Sequence, residues 1–212
     1  MQTKPLLTFL GNSGFLLEFQ DSSIVIDPQN KASGDREGDI VYCTHDHPDH
    51  TGGVNVFMEQ NPVAFLMGST QVAKKFKHWT HRTIVVSSGE FVQQGPWSLR
   101  FIEEPHGVTK GKMNLGVIVR TDEFAFGHVG DAVRFGGFAR AKLDVLAIPI
   151  FGGFTASPKR AIEELTKFDR PLPTIVPMHW VFRSPKGFCK HFKTEFPKAK
   201  CLIPEKNKKL KI

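Results

Sequence analysis

The run Thr44-His45-Asp46-His47-Pro48-Asp49-His50 constrains this chain more than any other stretch. Four side chains of metal-ligating type, His45, His47, Asp49 and His50, fall within six positions. Imidazole and carboxylate suit Zn²⁺ and its first-row neighbours. Upstream, Asp39-Ile40-Val41-Tyr42-Cys43 reads as a buried strand that ends at a site. Downstream, Thr51-Gly52-Gly53 reads as a loop opening a helix over 54–60. On an extended chain His45 and His47 point the same way, because side chains alternate with period two. Asp49 and His50 then turn back from the helix start. That geometry can feed two adjacent metals, one through each pair. A polar loop with satisfied histidines is the bland alternative, and the density of ligands argues against it.

The rest of the chain reads as alternating strands and helices. Residues 6–10, 15–19 and 24–26 form a meander with turns at Gly11-Asn12-Ser13-Gly14 and Asp21-Ser22-Ser23. It ends at Asp27-Pro28, where Asp27 is placed to orient a metal ligand as an acceptor. Residues 31–38 read as a loop. Ser69-Thr70 caps a helix over 71–79. A strand at 83–86 and a hairpin of 91–94 with 97–102 lead to Glu103-Glu104-Pro105-His106-Gly107. His106 lies where the backbone turns irregular, and sites are built on such segments. Strands at 114–119 and 124–126 run into Gly127-His128-Val129-Gly130-Asp131. Residues 143–150 form the strongest buried strand, and Phe151-Gly152-Gly153-Phe154-Thr155 is a turn placed to line a pocket. Ser157-Pro158 caps a helix with the face Ala161, Ile162, Leu165 and Phe168. A strand at 174–177 ends in Met178-His179-Trp180, and an amphipathic helix covers 186–196.

H-x-H-x-D-H at a strand end resembles the signature of metallo-β-lactamase-fold hydrolases. The strand–glycine turn–strand–Asp-Pro opening is similar too, although many relatives carry His near Asn12. Pro177-Met178-His179 resembles the closing ligand motif of a small metal-dependent hydrolase branch. That branch includes lactonases of the ascorbate-6-phosphate type, and related branches hold phosphodiesterases. The resemblance spans roughly residues 6–205. It implies an α+β chain, a four-layer αββα sandwich of two mixed sheets with helices outside. It also implies a ligand set: His45, His47 and His106 for one metal, Asp49, His50 and His179 for the other, and Asp131 between them. The expected cofactors are two divalent ions, Zn²⁺ first, with Mn²⁺, Ni²⁺ and Fe²⁺ open. The implied chemistry is hydrolysis by a metal-activated hydroxide, which Asp49 accepts a hydrogen bond from and orients. Di-iron redox relatives replace the second His of the run with Glu, whereas His47 is intact.

Length fits one domain over residues 1–212. Lys and Arg number 28 against 21 Asp and Glu, for a net charge of +7. That balance favours anionic partners. Lys110, Lys112, Arg134 and Arg183 lie near expected site loops, so a small anionic ester is the leading substrate, a phosphodiester ahead of a lactone. A nuclease with nucleic acid as partner and a metal-bearing binding protein without turnover stay as alternatives. Cys43, Cys189 and Cys201 are an odd, scattered set, which predicts no disulfide framework and a reducing, cytoplasmic setting. No apolar run is long enough to cross a bilayer, so no membrane partner is expected.

Overall fold

The computed structural model describes residues 4–107, 111–180 and 183–212. Strands β1 (Leu6–Gly11), β2 (Gly14–Phe19) and β3 (Ser22–Ile26) form the expected antiparallel meander. From β3 the direction of pairing changes. Strands β4 (Ile40–Cys43), β5 (Phe65–Gly68) and β6 (Thr83–Val85) add in parallel, each reached by a crossover. The crossovers carry α1 (Lys31–Gly34), α2 (Pro48–Thr51), α3 (Val54–Gln60) and α4 (Thr70–Lys75). A two-residue strand, β13 (Lys208–Lys209), closes the other edge against β1.

The second sheet runs from β7 (Phe91–Gln94) through β8 (Trp97–Glu103), β9 (Leu115–Arg120), β10 (Ala125–His128) and β11 (Val145–Pro149) to β12 (Thr174–Met178). Pairing is antiparallel from β7 to β10 and parallel from β10 to β12. Helices α5 (Pro158–Leu165) and α6 (Pro185–Glu195) complete the chain. The architecture is the αββα sandwich of two mixed sheets.

Alternation explains the layering. Ile24, Ile26, Ile40 and Tyr42 face the second sheet and pack with Trp97, Leu99, Phe101, Val117 and Phe126. Their neighbours Val25, Val41 and Cys43 face the opposite way, onto Val54, Phe57 and Met58 of α3 and Val72 of α4. Strands β3 and β4 are therefore covered on both faces, which accounts for their unbroken apolar sequence. Ala161, Ile162 and Leu165 of α5 and Phe188 and Phe192 of α6 cover the second sheet. The Tyr42 hydroxyl donates to the Leu115 carbonyl oxygen at 2.6 Å and pins one sheet to the other.

Three local expectations are corrected. Residues 31–34 are helical, not loop, because Asn30 and Ser33 form a reciprocal capping box; a single turn is too short to show apolar periodicity. Residues 71–79 do not form one helix: α4 stops at Lys75 and a 3₁₀ turn follows over Lys77–Arg82. Cys189 and Cys201 are joined by a disulfide with Cα atoms 5.6 Å apart, tying α6 to the segment beside β12. The twelve-residue spacing carried no such signal, because only the packing of α6 brings the thiols together. Cys43 is free and buried, as expected. No helix among the described residues is long and apolar enough to cross a membrane.

Gly34 and Gly53 meet backbone to backbone where α1 crosses the start of α3. A Cβ at Gly34 would lie 2.0 Å from the Gly53 carbonyl oxygen. Gly34→Ala is expected to destabilise the fold by about 1–3 kcal/mol, the usual cost of overpacking; an unchanged denaturation midpoint would refute this. Reducing the Cys189–Cys201 bridge is expected to cost up to about 3 kcal/mol from the chain-entropy relation for a loop of this size. Thermal melts with and without reductant, with Cys189→Ser as the reference, measure it.

Candidate metal centre

Asp27 follows β3, His45 follows β4, His106 follows β8, Asp131 follows β10 and His179 follows β12. These strands all present their carboxyl ends to one edge of the sandwich, the edge at which α/β sheets build sites. His47 caps α2, with Pro48 in its first turn, so Asp49 and His50 project from the opening of a helix rather than from a strand.

Two groups of ligand atoms result. In His45, His47, His106 and Asp131 one ligand atom from each lies within 4.8 Å of the others, and Asp49, His50 and His179 form a second such group. Asp131 lies between them. Its Oδ2 is 3.9 Å from Nε2 of both His45 and His106, and 3.4 Å from His179 Nε2. Its Oδ1 is 3.3 Å from His50 Nε2. Asp49 Oδ2 accepts from His179 Nε2 at 3.1 Å and lies 3.6 Å from His50 Nε2.

Hydrogen bonds behind the ring nitrogens fix which atom faces the centre. Asp27 is fully buried. It accepts from Thr44 N and Thr44 Oγ1, both at 2.8 Å, and from His50 Nδ1 at 2.7 Å. Thr44 Oγ1 spends its proton on Asp27 and so accepts from His45 Nδ1 at 3.0 Å. Both Nε2 atoms are thereby turned inward, the arrangement by which outer partners orient metal-binding histidines. Asp131 is set by its backbone: its N–H donates to Asn114 Oδ1 at 3.0 Å. The preceding Gly130 has φ +63°, and a Cβ there would fall 2.1 Å from that same oxygen. His179, Asp27 and Asn12 hold positive φ of 49°, 47° and 51°. Non-glycine residues seldom adopt that region, and such strain gathers at sites.

Electrostatics divides the donor set. Burial pushes the pKa of His45, His47 and His106 down, helped by like charge on neighbouring rings. These imidazoles are held neutral, the form that binds a cation. Burial alone would raise Asp131 and Asp49. His50 lowers both, through charge and a hydrogen bond to Asp131 and through charge at Asp49, where the His179 hydrogen bond is the larger effect. Burial opposes charge on His50, but Asp131 and Asp27 overcome it and raise its pKa. The centre concentrates carboxylate and imidazole in a buried corner, and a divalent cation is the group whose chemistry fits that set.

Other expected residues fall elsewhere. Lys110 lies outside the described residues. Lys112 spends its ammonium on both oxygens of Asp46, each at 2.8 Å. Arg134 is exposed beyond Asp131, and Arg183 is exposed with Nε donating to the Phe151 carbonyl oxygen at 3.2 Å. Lys112, Arg134 and Arg183 do not line the cavity of about 290 Å³ at the centre, whose walls among the described residues are His47, Asp49, Asp131, Phe151, Phe154 and His179. His128 is a packed histidine: its Nε2 donates to Ser13 O at 2.8 Å and its Nδ1 accepts from Gly130 N at 3.1 Å. Three neighbours of the site carried too little sequence signal to be assigned. Asn12 Nδ2 donates to Asp49 Oδ2 at 3.2 Å, Ser13 Oγ lies 3.2 Å from His50 Nδ1, and Lys75 Nζ donates to Asp46 O and Thr51 Oγ1 at 2.6 and 2.7 Å. Asn12 and Ser13 sit in what reads as an ordinary turn, and Lys75 in what reads as a solvated helix face.

Fold and site together define a metallo-β-lactamase-fold metal-dependent hydrolase. Residues 6–179 match the Beta-lactamase superfamily domain, and the chain belongs to that family. It is 30% identical over 194 residues to a UPF0173 metal-dependent hydrolase of Opitutus terrae, covering 82% of this chain and 84% of that one. A UPF0173 protein of Pyrococcus furiosus is 27% identical over 209 residues, 96% of each chain. Among solved structures, a metallo hydrolase of the archaeon Ignicoccus hospitalis superposes with a TM-score of 0.84 at 21% identity, covering 98% of both chains. A metallo-β-lactamase-fold protein of Bacillus subtilis gives 0.81 at 15% identity, covering 98% of this chain and 99% of that one.

Asp27→Asn keeps the shape of the side chain and removes the charge facing His50. Divalent-ion affinity is expected to fall roughly ten- to a hundredfold, with far-UV circular dichroism unchanged. Competition against a chromophoric chelator reads this, and equal affinity in both proteins would remove Asp27 from the role.

Proposed function

We propose that this chain is a dinuclear hydrolase acting on the carbonyl of a carboxylic ester or lactone. His45, His47 and His106 would hold one divalent ion, Asp49, His50 and His179 the other, with Asp131 shared. The observation that carries this reading is the position of Asp131, whose Oδ2 lies within 3.9 Å of imidazole nitrogens from both groups and whose Oδ1 lies 3.3 Å from His50 Nε2. The nitrogen-rich donor set favours Zn²⁺, with Mn²⁺, Ni²⁺ and Fe²⁺ as competitors whose occupancy depends on supply. When bound, such ions polarise a substrate oxygen and lower the pKa of water.

The protein groups divide the remaining work. Both carboxylates line the cavity, but the Asp131 side chain is 5% exposed and Asp49 43%, so Asp131 serves as a buried anchor while Asp49 is the one open to solvent. Asp49 accepts a hydrogen bond from the attacking water and orients it toward the carbonyl carbon. Asn12 Nδ2 donates to Asp49 Oδ2 at 3.2 Å and holds that carboxylate in place. No serine or cysteine nucleophile is required.

A phosphodiester is the competing substrate, supported by the net charge of +7. It loses ground because the cavity wall holds two phenylalanines and no lysine or arginine among the described residues. Metal-depleted protein is to be reloaded separately with each of the four ions and assayed on a model ester, a lactone panel and a model phosphodiester. Ester or lactone turnover that chelation abolishes and add-back restores is expected. Preferential phosphodiester turnover would overturn the carbonyl assignment. His47→Ala and Asp131→Ala should each lower turnover by a factor of roughly a hundred or more, about 3 kcal/mol in the barrier, with metal content reduced and the fold retained. Full turnover at unchanged metal content would remove both residues from the site.

A further inference from the structure

The cavity beside the ligand groups has one wall that the chemistry above leaves unused. Phe151 and Phe154 line it opposite His47, Asp49, Asp131 and His179. Phe154 is 50% exposed, among the larger exposed apolar side chains of the described residues. A single exposed ring is unremarkable on a protein surface; one fixed in the wall of a ligand-built cavity is another matter.

The turn that carries the two rings is fastened on every side. Gly152 and Gly153 hold φ of +87° and +64°, and a Cβ on Gly153 would meet nothing within 4 Å. Glycine at 153 therefore answers to backbone conformation, not to crowding. The Phe154 carbonyl oxygen accepts from Gly107 N at 3.0 Å, next to His106. A Cβ at Gly107 would come 2.4 Å from that oxygen, so the two backbones need this glycine to touch. Ala156 N donates to Ala132 O at 3.0 Å, next to Asp131. Gly152 N closes the turn on Ala156 O at 3.0 Å. Arg183 Nε holds the Phe151 carbonyl oxygen, and the Phe151 ring stands 5.8 Å from the His179 ring. Backbone hydrogen bonds tie the turn to the segments that carry His106 and Asp131, and the Phe151 ring stands beside that of His179, so the wall keeps its place next to three of the ligands.

We propose that Phe151 and Phe154 are the specificity-determining residues of this site, and that they select a substrate with an apolar acyl group, an alkyl or aryl chain next to the scissile carbonyl. This rests on the ester or lactone reading above. No lysine or arginine among the described residues lines this wall to choose an anionic acyl group: Lys112 is paired with Asp46, and Arg183 and Arg134 lie outside the lining. Each methylene buried against the wall is worth about 0.8 kcal/mol, or about fourfold in kcat/KM, until the cavity is full.

The test uses the Zn²⁺-loaded full chain and two readouts. One is kcat/KM on p-nitrophenyl acetate, butyrate, hexanoate and octanoate; the other is calorimetric binding of the matching alkanoates. Both should strengthen with chain length in the wild type. Phe154→Ser should flatten both series, and Phe154→Leu should restore most of the slope. Metal content and melting temperature identify any variant that has lost its fold. No chain-length dependence in the wild type, or a slope that survives Phe154→Ser in correctly folded protein, overturns the proposal. Alkanoate binding that keeps its Phe154-dependent slope while no ester is turned over supports the wall and sinks the ester reading instead.

Discussion

A charged carboxylate with no access to solvent must be paired or hydrogen-bonded on all sides, and Asp27 imposes that demand on the whole site. It collects Thr44 twice and His50 once. Those three contacts bring the end of β3 to the end of β4 and to the first turn of α2. Removing any one leaves a buried polar group unsatisfied, so the three segments hold together or fail together. His45 and His50 inherit their orientation from this node, and the placement of the ligands inherits theirs in turn.

Two kinds of strain surround the node. Backbone strain sits at Asn12, Asp27 and His179, whose left-handed φ values are compensated by hydrogen bonds, among them Asn12 O receiving His179 N at 2.8 Å. Steric closeness sits at Gly34, Gly53, Gly107 and Gly130, where backbone meets backbone or a side chain without room for a Cβ. A rigid double sheet makes this affordable. Tyr42 hydrogen-bonds one sheet to the other just before the metal run begins, and Leu115 N donates back to Thr44 O at 2.9 Å, so the two layers are joined beside the ligands.

Much of this was legible in the residue order. The strand meander and the two outer helices follow from period-two and period-3.6 patterns and the buried strands from unbroken apolar runs, and nearly every strand lies where those signals put it; that the buried strands pair in parallel was not among them. The dense ligand run could be read directly. His106, Asp131 and His179 could not be joined to it by spacing, since 55 or more residues intervene; only the resemblance tied them together. The substrate contacts were the weakest part. Lys112 and Arg183 sit in suitable places along the chain, but a cation's availability depends on what neutralises it, and Asp46 and a Phe151 carbonyl are tertiary partners. The Cys189–Cys201 bridge escaped for the same reason.

By itself, then, the sequence determined which groups can ligate, which strands must be buried on both faces, and where the chain has to turn, because those properties depend on side-chain chemistry and local periodicity. Tertiary structure alone decided that carboxyl ends of strands from two sheets meet at one edge. It decided too that Asp131 lies between two imidazole clusters, and that a glycine turn sets two phenylalanine rings beside them. Such facts are distances between residues far apart in the chain, and no local preference encodes them.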